Sequence, residues 1–252
     1  MSRSNPEENA INPCSNWFQW DGGDGKGLKK YNKETKKNDI IPIPFKFLVL
    51  DRLVTVIGYN EPEKIGYYAN EIRNMKNDKL TVRSKNGIEA EGTYEEVKAK
   101  LGTKGLNFAQ SCYIAYFEGK DLTLGNIKMT GAALENWFNF CKVNKIDEIG
   151  IILKEAKEAK KGKVIYYEPI FESMKIKDET NAAAIELDKE LQEYLKAYLE
   201  RNQTSTEAVK HENKTEGSQE EKTKQEAHKY PDHPETNSAD INLDDDGLDL
   251  PF

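Results

Sequence analysis

The feature that most constrains this chain is where its capacity to build a core stops. From Asn202 to Ala239 the sequence is Glu, Lys, Thr, Ser, Gln, Asn and His, with Tyr230 the only aromatic. A segment so poor in apolar surface cannot offset its ordering entropy, and it reads as a disordered linker. As a flexible coil it would hold its ends about 35 Å apart. The part of the chain that can build a core is therefore expected to end near residue 201. The charge divides in the same region. Residues 1–177 carry 29 Lys and Arg against 24 Asp and Glu, whereas residues 178–252 carry 8 against 20. A net charge of −7 thus hides a mildly basic body on an acidic end, and a basic body admits a nucleic-acid partner that the whole-chain charge would exclude.

The body reads as mainly β. Runs rich in Val, Ile, Leu, Phe and Tyr predict strands over 45–58, 65–72, 80–84, 111–118 and 122–129. A final hairpin over 149–157 and 163–171 flanks the turn Ala159-Lys160-Lys161-Gly162. Asp51-Arg52 interrupts the first run and suits a bulge in a long curved strand. Helices are few, at 94–101, 132–142 and 182–201. In the last, Ala184, Leu187, Leu191, Tyr194 and Tyr198 make a seam that could dock on the body or pair with another chain, docking being the simpler reading. Short strands and few helices fit an OB-fold-like five-stranded barrel with extra strands and two or three helices. The expected organisation is a domain over 1–177, whose first 40 residues form an arm. An amphipathic helix (178–201), the linker (202–239) and an acidic tip (240–252) follow.

Such barrels bind single strands by stacking bases on aromatic rings beside cations. The arm has Trp17 and Trp20 ahead of a glycine-rich loop, then Tyr31 among Lys26, Lys29, Lys30, Lys33, Lys36 and Lys37. Tyr59, Tyr67 and Tyr68 flank Lys64 and Arg73, with Arg83 and Lys85 following and Tyr113 and Tyr116 on a later strand. These are the candidate stacking and phosphate-contacting residues. Each aromatic has a core reading as well. Tyr67 and Tyr68 are neighbours on a strand, so only one of them can face out.

Other chemistry is not expected. The loop Asp21-Gly22-Gly23-Asp24-Gly25-Lys26-Gly27 fails as a phosphate loop, because Lys26 is followed by Gly27 rather than Ser or Thr. It fails as a dinucleotide fingerprint because Leu28 replaces the third glycine. Cys14, Cys112 and Cys141 are isolated, and all three histidines (His211, His228 and His233) lie beyond the body. No metal site, cofactor or catalytic triad is expected, and reduced thiols fit a cytoplasmic protein. No membrane span or secretion signal is read in the sequence.

The last thirteen residues hold five aspartates and end Asp244-Asp245-Asp246-Gly247-Leu248-Asp249-Leu250-Pro251-Phe252. An acidic run closed by a terminal aromatic reads as a peptide to be gripped by a basic ridge and an apolar pocket. In this the chain resembles the single-stranded DNA-binding proteins of bacterial and phage replication. Those pair an OB-fold body and linker with an acidic tip, ending in Ile-Pro-Phe in the bacterial members, where this chain has Leu250-Pro251-Phe252. The resemblance implies a non-enzymatic protein that coats single-stranded DNA, as a possible homo-oligomer. It also implies a tip (Asp244, Asp245, Asp246, Leu248, Asp249, Leu250, Pro251 and Phe252) that recruits replication, recombination and repair enzymes. An RNA-binding regulator and a protein-interaction adaptor are the alternatives.

Overall fold

Strand-period alternation dominates the body, and it assembles into one branched sheet. The computed structural model describes residues 12–23, 27–32 and 34–212, with side chains described through residue 202. The strands are β1 (Asn16–Asp21), β2 (Gly27–Asn32), β3 (Lys37–Ile40), β4 (Phe45–Asn60), β5 (Ile65–Ala69), β6 (Leu80–Ser84), β7 (Gly87–Gly92), β8 (Leu106–Glu118), β9 (Asp121–Thr130), β10 (Gly150–Lys161) and β11 (Val164–Met174). The helices are α1 (Tyr94–Leu101), α2 (Gly131–Val143) and α3 (Asp178–Glu212), the last running past residue 201 into the segment read from the sequence as linker. The protein is mainly β, as its sequence predicts. Residues read from the sequence as an arm form β1, β2 and β3 and extend the sheet.

The expected five-stranded barrel does not form. The strand order is β3-β2-β1-β9-β8-β4-β5-β6-β7, and β3 and β7 are free edges among the described residues. The cause lies in β4. One of its edges pairs with β8 along most of its length, while the other is shared, with Phe45–Phe47 pairing to β10 and Ile57–Asn60 to β5. A strand whose edge serves two partners forks the sheet instead of letting it curl shut. The register against β8 shifts between Val49 and Asp51, so the bulge expected at Asp51-Arg52 is present and Leu50 is the extra residue.

One face of the sheet carries the main core. Phe18, Trp20, Leu28, Phe47, Ile114, Tyr116, Ile127 and Met129 pack there against Ala133, Leu134 and Trp137 of α2 and Ile151 and Leu153 of β10. Trp137 is fully buried and its indole N–H donates to Gln110 Oε1 at 2.6 Å, so its one polar atom is satisfied. A second cluster under β5–β7 joins Val54, Val56, Tyr67, Leu80 and Val82 to Val97 and Leu101 of α1.

The opposite face is covered only along its middle, by α3. Ala184 packs on Leu48 and Ala115, while Leu191 and Leu195 pack on Leu53, Tyr113, Leu124 and Cys14. The seam read from the sequence therefore docks on the body. Polar contacts fix its register. Gln192 Nε2 donates to Asp51 at 2.9 Å, and the Tyr198 hydroxyl accepts from the Glu71 N–H at 2.8 Å. Arg73 grips Asp51 with two hydrogen bonds of 2.6 and 2.9 Å. Burial alone would raise the Asp51 carboxyl, but hydrogen bonds from Arg73, Gln192 and the Arg52 N–H together hold it below 3.8. A carboxyl depressed on folding stabilises the protein above its unfolded pKa, and that stabilisation is lost as the pH falls through the folded value. Asp51→Asn should therefore cost about 1–2 kcal/mol at pH 7, and wild type and variant should converge as the pH falls through the depressed Asp51 value, below 3.8. Paired thermal melts at pH 7 and below that value check this.

Candidate nucleic-acid interface

Cross-strand partners in a ladder share a face, so the registers decide which candidates can act together. Ile40 pairs with Lys29, Lys29 with Gln19, Gln19 with Lys128, Lys128 with Ser111, and Ser111 with Leu53. Leu53 lies under α3, so the whole row is on the α3 face. Trp17 and Tyr31 stand two residues along from Gln19 and Lys29 and share that face. A second row starts from Ile57, four residues beyond Leu53. It runs Asn107, Ile57, Tyr68, Arg83, Ile88, with Tyr59 two residues further on.

The eight aromatic candidates separate cleanly. Trp20, Tyr67, Tyr113 and Tyr116 are buried, at 9%, 3%, 1% and 4% exposure, and no base can reach their rings. Trp20 donates to the Tyr167 carbonyl at 3.0 Å, and Tyr113 donates to Glu71 at 2.5 Å beneath α3. Desolvation first, then the Glu71 charge, pushes the Tyr113 hydroxyl well above 10. Tyr116 sits against Asn16 in the main core, and burial followed by Glu118 pushes it up to about 12. The other four, Trp17, Tyr31, Tyr59 and Tyr68, are half-buried, and all lie on the α3 face. Trp17 and Tyr31 stand on one side of the helix, Tyr59 and Tyr68 on the other.

The cations divide less favourably. Lys29 is paired with Asp21, Lys30 with Glu118 at 3.4 Å, Lys64 with Glu61 at 2.5 Å and Arg73 with Asp51. Lys30 belongs to the face opposite α3, since its partner in β1 is Phe18. Lys36, Lys37, Arg83 and Lys85 are exposed and form no ion pair among the described residues. Of these, Arg83 is beside an aromatic, across the ladder from Tyr68. Lys64 also places its ammonium 6.0 Å from the Tyr59 ring centre. Lys26, Lys33 and the terminal group from Asp244 to Phe252 lie outside the described residues.

Known proteins contribute nothing here: no family model, curated protein or solved structure matches the chain. The site thus rests on its own geometry. One contributor escaped the sequence reading. Lys128 holds its ammonium 5.8 Å from the Trp17 ring centre, within cation–π range, and lines the same row as Lys29. Its signal was available, as the one charged residue in the strand Leu122–Met129. Among the described residues no group of three His, Cys, Asp or Glu could hold a metal ion, and no helix is long and apolar enough to cross a membrane. Cys14 is buried beside α3, and burial, with Glu71 and Glu190, pushes its thiol up to about 12.

The surface on either side of α3 offers flat rings and flanking cations. Such a surface suits a ligand that presents π-faces and a polyanionic backbone along its length.

Proposed function

We propose that this protein binds single-stranded DNA across the α3 face of its sheet, with little sequence preference, and recruits partner enzymes through its acidic C-terminal peptide. The observation that carries the reading is the sorting of the aromatics. Every candidate ring that keeps an accessible surface lies on one face, with Lys128 over Trp17 and Arg83 opposite Tyr68. Bases stack on such rings whatever their identity, and duplex DNA hides its base faces. The peptide over residues 240–252 supports the recruiting role through its sequence, five aspartates set among Leu248, Leu250 and Phe252.

A fluorescence titration with a thymidine oligonucleotide, a duplex of equal length and the matching RNA tests the proposal. Single-stranded DNA should bind best, with affinity falling steeply as salt rises. Equal affinity for duplex sinks the reading, and preference for RNA moves the function to an RNA regulator, since the 2′-hydroxyl is the main difference.

The acidic peptide carries five aspartates and no lysine or arginine, and residues 213–239 between α3 and the peptide serve as a tether that lets it reach the protein's own cations. Deleting residues 240–252 should tighten DNA binding several-fold at low salt, with the effect fading at high salt as screening grows. Phe252→Ala should leave DNA affinity nearly unchanged while weakening partner capture. Titrations of the three proteins at two salt concentrations check the first outcome.

A further inference from the structure

The tip of the β10–β11 hairpin carries a cluster of cations that nothing in the body neutralises. Lys157, Lys160 and Lys161 in β10 and Lys163 in the turn are all exposed and make no ion pair among the described residues. Lys154, nearer the body, is already held by Glu172 at 2.5 Å. Residues 157–163 hold four lysines and one carboxylate, Glu158, which is engaged by the Tyr167 hydroxyl at 3.1 Å, and Glu168 stands across the ladder from Lys157.

The registers place an aromatic ring among these lysines. Tyr166 pairs with Ala159, Lys157 with Glu168 and Lys161 with Val164, so Lys157, Ala159, Lys161, Val164, Tyr166 and Glu168 share one side of the hairpin, while Lys160, opposite Ile165, stands on the other. An alanine opposite Tyr166 leaves the ring's flank uncovered, and the two lysines stand one step to either side of it. Burial first, then Glu168 and the charge of Glu135 in α2, pushes the Tyr166 hydroxyl above 10. Beside them Val164 and Ile165 are 41% and 53% exposed, costly choices for a hairpin end that only meets water.

The hairpin is anchored firmly enough to present this tip. Ile151–Leu153 pair with β4. The Tyr167 N–H donates to the Gly22 carbonyl at 2.7 Å, and Trp20 donates to the Tyr167 carbonyl at 3.0 Å. Gly22 permits this approach, because a Cβ there would meet the Tyr167 carbonyl oxygen at 2.8 Å. The fixed contacts end at Tyr167; Lys160, Lys161, Lys163, Val164 and Ile165 lie on the turn side of it, and Lys157 lies one step towards the body, opposite Glu168.

We infer that this hairpin tip is a second contact for single-stranded nucleic acid, stacking a base on Tyr166 and holding phosphates with Lys157, Lys160, Lys161 and Lys163. The inference rests on the reading of the α3 face as a DNA-binding surface, and it lengthens the strand that one molecule can hold.

The test titrates a long thymidine oligonucleotide against the full chain, a variant with Lys157, Lys160, Lys161 and Lys163 all replaced by alanine, Tyr166→Ala, and Tyr68→Ala as the α3-face control. Each phosphate that a lysine no longer neutralises should reduce the slope of log affinity against log salt by about 0.7, so the lysine variant should have a slope shallower by about 2–3. Tyr166→Ala should weaken binding about tenfold. An oligonucleotide carrying 5-iodouracil should crosslink to Tyr166 in the full chain. Unchanged slope and affinity in the hairpin variants, with Tyr68→Ala still weakened, overturns the hairpin contact and leaves the α3-face reading standing. No binding of single strands by the full chain overturns both. Every substituted residue is exposed or half-exposed, and melting temperatures matching the unmodified chain confirm that the variants are folded.

Discussion

Replacing Tyr59 and Tyr68 together by alanine is expected to weaken single-stranded DNA binding by at least about thirtyfold, because each stacked base contributes about 1–3 kcal/mol. The two residues lie on neighbouring paired strands, Tyr59 opposite Gly66 and Tyr68 opposite Ile57, so both point out on the α3 face. Gly66 offers no side chain to cover Tyr59, and its space would otherwise compete with a base for the ring. Tyr67→Ala should behave differently. Tyr67 is 3% exposed in the cluster beneath β5, so its loss should cost about 3–5 kcal/mol of stability, as for other large buried aromatics. Equilibrium unfolding read beside the DNA titration separates the two: the double variant loses affinity with little change in stability, and Tyr67→Ala loses stability. A double variant that binds as well as the unmodified chain would remove the β4–β5 side of the proposed surface.

That contrast between adjacent tyrosines shows what the sequence could and could not carry. Strand alternation says that Tyr67 and Tyr68 face opposite ways, but the choice of the outer one is made by what packs beneath β5. That layer is α1, brought in by the chain after β7 through Val97 and Leu101. Long apolar strands such as β4, β8 and β9 were legible because period-two burial needs apolar residues at fixed steps. β2 was not, since Gly27-Leu28-Lys29-Lys30-Tyr31-Asn32 has one aliphatic residue to bury, and it joins the sheet through the backbone ladder to β1. β1 did carry a signal in the alternation of Asn16, Phe18 and Trp20, three buried residues at steps of two. The open sheet was illegible because it depends on β4 sharing an edge between β10 and β5, strands far apart in sequence. The cation list failed for a related reason. A basic residue near aromatics looks free until the fold brings Asp51 to Arg73 or Asp21 to Lys29, and such pairings depend on which strands lie side by side.

Leu195→Ala is expected to destabilise the protein by about 2–5 kcal/mol, among the largest effects of any single substitution on the α3 side. Leu195 and Leu191 are fully buried against Leu53, Tyr113 and Leu124, so shortening either leaves a cavity that a sheet bonded on both sides cannot close. Ile185 on the same helix is 50% exposed, and Ile185→Ala should change stability by no more than about 0.5 kcal/mol. Denaturant unfolding of the two variants tests the docking directly, and equal effects would mean that α3 does not seal the sheet. The consequence for function is specific. Trp17 packs beside the cluster that α3 completes, and Cys14 is buried within it. Loosening the helix should therefore raise Cys14 alkylation and disturb the Trp17–Lys128 side of the surface, while leaving Tyr59, Tyr68 and Arg83, which are held by the sheet itself, still able to bind. A Leu195→Ala protein that keeps about half of the stacking contacts yet labels at Cys14 would show that α3 separates two independently supported halves of one binding surface.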